Sequence, residues 1–348
     1  MSTETRSGTD VDSPLMRRSS THLSVVVGCY NAGKQLEKRV RALVDFLYST
    51  RRDFEVLIVE DGSADESLPI LLRLEAEVPV ITVLRNPRNM GKGYSIRNGI
   101  LNSRGKYIIF TDVDMVYAME NLAAVLERLE SGAPLVVGNR RLSESVYVVN
   151  NSLVKYVYRR HRMGIAFNTL VRLLFGLRIR DTQSGLKGFA RSAAATIFQR
   201  LYTDGFLFDI EIFIRSRALG IPVVEIPVRL TYEDDITTVG QFQYLFSVIP
   251  ELVHIKALEL RGAYRNRDVP SRGGHAGTGT AATQLSGEHD VAAQDSVARQ
   301  ANVERRETIG GSEFVQTSAT AEGDSTAGRT PASHLRPAWT SRAPDPQR

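Results

Sequence analysis

The chain has 348 residues, 42% of them hydrophobic, a formal net charge of +5 and a single cysteine, Cys29. That is enough apolar material for one large domain or two small ones, and a lone cysteine forms no internal disulfide, which points to a reducing compartment. No stretch reaches the ~18 apolar residues of a spanning helix, and residues 1–22 lack the apolar core of a secretory signal, so the sequence reads as a soluble or peripheral protein of the cytoplasm.

Leu23-Ser24-Val25-Val26-Val27-Gly28-Cys29 is a short apolar run rich in β-branched residues, as expected of a strand buried on both faces. The turn Tyr30-Asn31-Ala32-Gly33 follows. Apolar residues at Leu36, Val40, Leu43, Val44 and Leu47 then keep a helical spacing. Phe54 to Val59 predicts a second strand, ended by Glu60-Asp61-Gly62-Ser63. Ser63-Ala64-Asp65-Glu66 has the pattern of a capping box opening the next helix. Val80 to Leu84 predicts a third strand. Gly91-Lys92-Gly93 leads into a helix to about Asn102, and Lys92 there is either an anion-holding lysine at a helix start or a surface lysine in a glycine turn.

The run from Tyr107 to Thr111 predicts a fourth strand that ends in Asp112-Val113-Asp114. Side chains alternate along an extended chain, so the two carboxylates point the same way. Such a pair is either two solvated loop acids or a set of oxygen ligands for a hard divalent cation. Leu135 to Gly138 predicts a fifth strand. Strands alternating with helices through short connections predict a parallel, mostly doubly wound α/β sheet. In such sheets ligands bind beyond the carboxyl ends of the strands. Tyr30-Asn31, Glu60-Asp61 and Asp112-Asp114 all follow strand ends and should share one cleft. The first turn lacks the Gly-x-Gly-x-x-Gly dinucleotide fingerprint, and no phosphate loop of the Gly-x-x-x-x-Gly-Lys-Ser/Thr type is present.

Residues 151–177 predict a long basic helical region, interrupted near Gly164. Lys155, Arg159 and Arg162 share a face, which is either a solvated surface over the core or one that lies on an anionic membrane. No nucleic-acid-binding motif or aromatic platform accompanies these charges, and no nucleic-acid partner is expected. Asp181 to Phe189 is polar and glycine-rich. Asp209 and Glu211 sit in a strongly apolar context, where acids must find partners or shift their pKa. Ile221 to Val228, with two prolines, predicts an edge or late strand. Gln241 to Arg261 predicts an amphipathic helix, kinked or interrupted at Pro250. The segmentation is a disordered N-terminus at 1–21, a folded domain at 22–266 and a disordered tail at 267–348.

These clusters, in this order, resemble glycosyltransferase family 2, the inverting enzymes of the GT-A fold. The branch most similar is that of the dolichyl-phosphate mannose and glucose synthases and their bacterial polyprenyl-phosphate relatives. The resemblance rests on Tyr30-Asn31, Glu60-Asp61-Gly62-Ser63, Asn89-Met90-Gly91-Lys92-Gly93, Asp112-Val113-Asp114, Gly138-Asn139-Arg140, Asp181 to Phe189 and Phe208-Asp209-Ile210-Glu211.

The resemblance implies a Rossmann-like GT-A domain that moves a hexose from a nucleotide sugar to a polyprenyl phosphate with inversion. Tyr30 and Asp61 would line the base and ribose pocket, and Lys92 would help hold the nucleotide. Asp112 and Asp114 would bind the nucleotide and Mg²⁺ or Mn²⁺. Asp181 falls where the family places an acid close to the reacting centre. Gln183, Asp209 and Glu211 would stand near the sugar or the acceptor, and Arg140 and Lys187 would meet the acceptor phosphate. The expected partners are a nucleotide sugar and a polyprenyl phosphate, met at the cytoplasmic face of a membrane.

Two features depart from the pattern. Ala32 and Gly33 stand where the family usually has Glu after Tyr-Asn. Val116 stands two residues past Asp114, where mannose synthases often carry a polar metal ligand. A soluble hydroxyl acceptor, or a relative that binds a nucleotide sugar without catalysis, is the alternative reading.

Overall fold

A computed structural model of the chain describes residues 21–232, 241–264, 305–309 and 312–317. In chain order the first half gives β1 (Thr21–Cys29), α1 (Leu36–Ser49), β2 (Phe54–Glu60), α2 (Ser67–Glu77), β3 (Ile81–Arg85), α3 (Lys92–Asn102), β4 (Gly105–Asp112), α4 (Glu120–Glu130) and β5 (Leu135–Asn139). The second half gives β6 (Val146–Asn150), α5 (Val154–Phe175), β7 (Lys187–Ala190), α6 (Arg191–Phe198), α7 (Phe208–Ala218), β8 (Val223–Pro227), β9 (Arg229–Tyr232), α8 (Gln241–Leu260), β10 (Arg305–Ile309) and β11 (Ser312–Thr317).

Seven strands form the main sheet in the order β3-β2-β1-β4-β7-β5-β8. All neighbours pair parallel except at β7, which runs antiparallel to both β4 and β5. Val25, Val26, Val27, Val56, Ile58, Ile108 and Ile109 are fully enclosed on these strands. Each such side chain contributes roughly 1.5–3 kcal/mol of burial, which offsets the cost of ordering the backbone. One face packs against α1, α2 and α4, the other against α3, α6 and α7, the two apolar layers of a doubly wound sheet. The mostly parallel sheet expected from the alternation of elements is present, and β8 with Pro227 is its edge.

A smaller sheet has the order β10-β11-β6-β9. Within the tail expected to be disordered, β10 and β11 are therefore strands, and β11 pairs parallel with β6. Both segments are rich in β-branched and aromatic residues, a local signal hidden by the average composition of the tail. The N-terminal residues 1–20 and the rest of the tail lie outside the described residues.

Three local expectations are corrected. The capping box does not form. Ser63 Oγ accepts from Asn31 N at 3.0 Å and Ser63 N donates to Glu60 Oε1 at 2.5 Å, so this segment folds as a turn against β1 and α2 begins only at Ser67. Helix α5 runs without a break through Gly164, whose carbonyl accepts Arg141 Nη2 at 2.5 Å. Helix α8 likewise continues across Pro250.

Candidate active site

Strand β4 delivers Asp112 to the carboxyl edge of the sheet, level with Gly28 of β1. Asp114 follows on the loop, and Lys92 comes from the first turn of α3. These side chains enter a cavity of about 290 Å³. Asp209 from α7, Arg140 from the end of β5 and Arg160 from α5 complete its charged lining, with Gln183 and Gly185 beside them. Val116, Tyr156, Met163, Phe167, Phe206 and Leu230 make the rest of the wall largely apolar. The cavity therefore gathers carboxylates from β4 and α7 together with guanidiniums from β5 and α5, and Asp114 and Arg160 feel each other's charge.

Burial, and then the neighbouring charge of Asp112, push the Asp114 carboxyl above its ordinary pKa. Two carboxylates that repel in a partly dry site are the arrangement a divalent cation relieves. Lys92 Nζ lies 2.6 Å from Asp112 Oδ1. Burial opposes its charge, but Asp112, Asp209 and Asp114 outweigh this and hold the ammonium above its usual value. Among the described residues no group of three or more His, Cys, Asp or Glu side chains forms a closed metal cage. The donor set fits Mg²⁺ or Mn²⁺ held by two carboxylates and completed by substrate phosphate oxygens.

Gly185 sets the position of Asp112. A Cβ at residue 185 would stand 2.0 Å from Asp112 Oδ2. Gly185 N donates to Tyr117 Oη at 3.0 Å, and that phenol also shares a 3.0 Å bond with Ser184 Oγ. Gly185→Ala must therefore displace the carboxylate. The expected result is a loss on the order of 10²-fold in kcat/KM with Mn²⁺ present, measured beside a thermal melt that moves by only a few degrees.

Arg140 is fixed on Asp181. Nε meets Oδ2 at 2.7 Å, Nη2 meets Oδ1 at 2.8 Å, and the Arg140 backbone N–H donates to Oδ2 at 3.0 Å. Arg140 Nη2 also donates to Gln183 O at 2.7 Å. Burial alone would raise the Asp181 carboxyl; the Arg140 guanidinium, aided by Arg141, reverses this and holds it at about 2.

Several of the expected site residues lie behind the cavity wall. Asp181 is fully buried behind Arg140 and does not line the cavity. Lys187 is also fully buried. Its Nζ donates to Ser184 O at 2.6 Å and to Asp209 Oδ1 at 2.7 Å, and it lies over the Phe110 and Phe213 rings. Burial draws Lys187 down and Asp209 up, each toward its neutral form. Glu211 is enclosed too, accepting from Tyr202 N and Thr203 N at 2.9 and 2.8 Å and from Tyr264 Oη. These three residues hold the site together from behind.

Tyr30 and Asp61 lie beside the cavity on the same sheet edge, not in its wall. Asp61 N donates to Cys29 O at 2.9 Å, which keeps the ends of β1 and β2 level. The Asp61 carboxylate accepts from Asn86 Nδ2 at 2.7 Å, Met90 N at 2.8 Å and Gly91 N at 3.0 Å. It thereby fixes the turn that carries Lys92. Tyr30 is 48% exposed next to it.

Arg160 was not among the expected site residues, yet it faces Asp114, Tyr232 and Tyr156 across the cavity. Its signal was periodic. Tyr156, Arg160, Met163, Gly164 and Phe167 keep the spacing of one helical face.

A mostly parallel α/β sheet with an acid pair at the end of its fourth strand is the arrangement expected of the GT-A fold. Comparison with known proteins carries this further. Residues 24–198 match the model of Glycosyl transferase family 2. The chain is 31% identical over 265 residues to dolichyl-phosphate beta-glucosyltransferase of Saccharomyces cerevisiae, covering 70% of this chain and 77% of that one. It is 30% identical over 259 residues to the Homo sapiens protein of the same name, again covering 70% and 77%. Among solved structures, glucosyl-3-phosphoglycerate synthase from Mycobacterium tuberculosis, in complex with Mn²⁺, uridine-diphosphate and phosphoglyceric acid, is similar in fold. Its TM-score is 0.52 at 16% identity, covering 77% of this chain and 86% of that one. The chain belongs to glycosyltransferase family 2 and is a glycosyltransferase.

Proposed function

We propose that the enzyme transfers a hexose from a nucleoside-diphosphate sugar to the phosphate of a polyprenyl lipid, with inversion and with Mg²⁺ or Mn²⁺. The relatives' name favours glucose as the sugar, and the uridine-diphosphate bound to the structural neighbour makes UDP the first nucleotide to test. The observation that carries the reading is that one cavity gathers the Asp112–Asp114 acid pair and the two guanidiniums of Arg140 and Arg160. A neutral hydroxyl acceptor would require a free carboxylate base within hydrogen-bond reach. The cavity's third acid, Asp209, is instead bonded to Lys187 at 2.7 Å. A lipid phosphate is already anionic near neutral pH and suits Arg140 and Arg160.

Asp112 and Asp114 would hold the metal, which supplies Lewis-acid stabilisation of the leaving diphosphate. Lys92 adds a cation beside Asp112, held there by the Asp61-braced turn. Arg140, fixed by Asp181, and Arg160 orient the acceptor phosphate, and the Met163 and Phe167 side of α5 receives the first part of its chain. Inversion follows if the acceptor attacks opposite the leaving group. Tyr30 and Asp61 remain the proposed neighbours of the nucleoside, and Gln183 of the sugar.

The test is the release of nucleoside diphosphate from UDP-glucose with Mn²⁺, with and without a polyprenyl phosphate. Stimulation by the lipid phosphate supports the reading; stimulation only by soluble alcohols overturns it. Arg160→Gln should raise the acceptor KM on the order of tenfold or more while leaving the donor KM unchanged, since it removes one charge-assisted contact. Steady-state kinetics with each substrate varied separately checks this.

A further inference from the structure

Helices α5 and α8 present an aliphatic surface that the reaction itself does not use. Leu173, Val253 and Leu260 are 79%, 64% and 77% exposed, and Leu170, Leu174 and Ile249 are exposed with them. These side chains are neighbours. Lys256 Nζ donates to Leu174 O at 2.9 Å and stands 5.4 Å over the Phe175 ring, which seats the exposed row of α8 against the last turn of α5. Ile249, Val253, Lys256 and Leu260 keep the spacing of one helical face.

Charge identifies what covers this surface. Helix α5 carries five cations (Lys155, Arg159, Arg160, Arg162 and Arg172) and no acid. By helical spacing Lys155, Arg159 and Arg162 lie on the face that continues into Leu170 and Leu173. The adjoining face of α5 lines the cavity through Arg160, Met163 and Phe167. A basic half followed by an aliphatic half on one helix matches anionic headgroups above acyl chains.

The inner side of α8 reaches the active site. Glu251 accepts the backbone N–H groups of Leu207, at 3.4 Å, and of Gly205. The approach is close: a Cβ on Gly205 would stand 2.5 Å from Glu251 Oε1. Glu211, which holds Tyr202 N and Thr203 N, is bonded by Tyr264 Oη just beyond the end of α8. Arg215 Nη1 in turn anchors Tyr264 O at 2.6 Å. Residues 202–207 are thus held at one end by Glu251 of α8 and at the other by Glu211 of α7, which Tyr264 from beyond α8 bonds in turn, and between them Phe206 forms part of the cavity wall.

We propose that the α5–α8 aliphatic face docks on an anionic bilayer and that α8 transmits this docking to the 202–207 loop, so that the lipid surface itself activates the enzyme. The proposal rests on the lipid-phosphate reading of the acceptor, but docking is measured without any acceptor. The full chain is sedimented with vesicles of phosphatidylcholine and phosphatidylglycerol that contain no polyprenyl phosphate. Wild type should bind, with affinity falling as salt rises. A Leu173→Asp, Val253→Asp double variant should lose on the order of tenfold or more of that affinity without a change in thermal stability.

Two further measurements test the transmission. Amide hydrogen exchange over 202–207 should slow when vesicles bind. Turnover of a short, water-soluble prenyl phosphate should rise about fivefold or more on adding the same vesicles. Glu251→Ala should still sediment but lose both responses. Absence of vesicle binding, binding by the double variant equal to wild type, or loss of a dimer in the double variant instead of loss of vesicle binding would each overturn the docking. Vesicle binding that leaves exchange over 202–207 unchanged would overturn the transmission. Vesicle binding with slowed exchange but no turnover of any prenyl phosphate would overturn only the acceptor assignment.

Discussion

Asp114→Asn should abolish sugar transfer while leaving the protein folded and melting no lower than wild type. The two halves of this expectation come from one cause. Asp114 and Asp112 are like charges at the end of β4, and burial together with that neighbour already disfavours the Asp114 carboxylate. Neutralising it relieves repulsion in the free protein, so stability is unchanged or slightly raised. The same change removes one of two protein ligands proposed for the metal, and with it much of the stabilisation of the leaving diphosphate. A loss on the order of 10²–10³-fold in kcat is expected. Turnover measured over a range of Mn²⁺ concentrations, beside a thermal melt, separates these effects. Removing divalent cations from wild type with a chelator should reproduce the loss, and added Mn²⁺ should reverse it in wild type alone.

Asp181→Asn should act in the opposite way, chiefly on stability. The carboxylate is fully buried and makes three hydrogen bonds to Arg140. Removing one member of a buried pair strands the other charge, at a cost of about 3–5 kcal/mol. Asp181 pins Arg140 against the cavity, so the acceptor KM should also rise. The pH dependence has a definite sign. The folded carboxyl, at about 2, lies below the unfolded value, so its contribution to stability is present above about pH 4 and is lost as pH falls through about 2. Denaturant melts of wild type and Asp181→Asn should therefore differ by a constant amount from pH 5 to 8 and converge in strong acid. A catalytic acid–base role for Asp181 would instead place a step in the rate profile near neutral pH.

Much of this site was legible from residue order. The strands that end in Cys29, Glu60 and Asp112 are largely apolar runs, and a parallel sheet places such ends on one edge whatever the details of packing. Strand β7 was not legible. Lys187-Gly188-Phe189-Ala190 reads as a polar, glycine-rich segment, and its strand character comes from pairing with β4 and β5 on both sides. Which of these residues line the cavity and which lie behind its wall is also hidden. Asp181 meets a partner 41 positions away, Asp209 one 22 away and Glu211 one 53 away. No local pattern encodes such pairings, so the sequence shows these acids only as neighbours of the reacting centre, the sugar or the acceptor. Arg160 was missed for the complementary reason. It looked like one more cation on a basic helix until the face it shares with Met163 and Phe167 was seen to line the cavity.

The most direct test of the proposed reaction follows the sugar itself. The enzyme is incubated with UDP-glucose labelled in the sugar, Mn²⁺ and a polyprenyl phosphate, and the products are separated and examined by mass spectrometry and NMR. The expected result is label joined to the lipid through its phosphate oxygen, with the anomeric configuration inverted, and no such product from Asp114→Asn. Label found only as free sugar or on a soluble hydroxyl compound, or a lipid product of retained configuration, would contradict it.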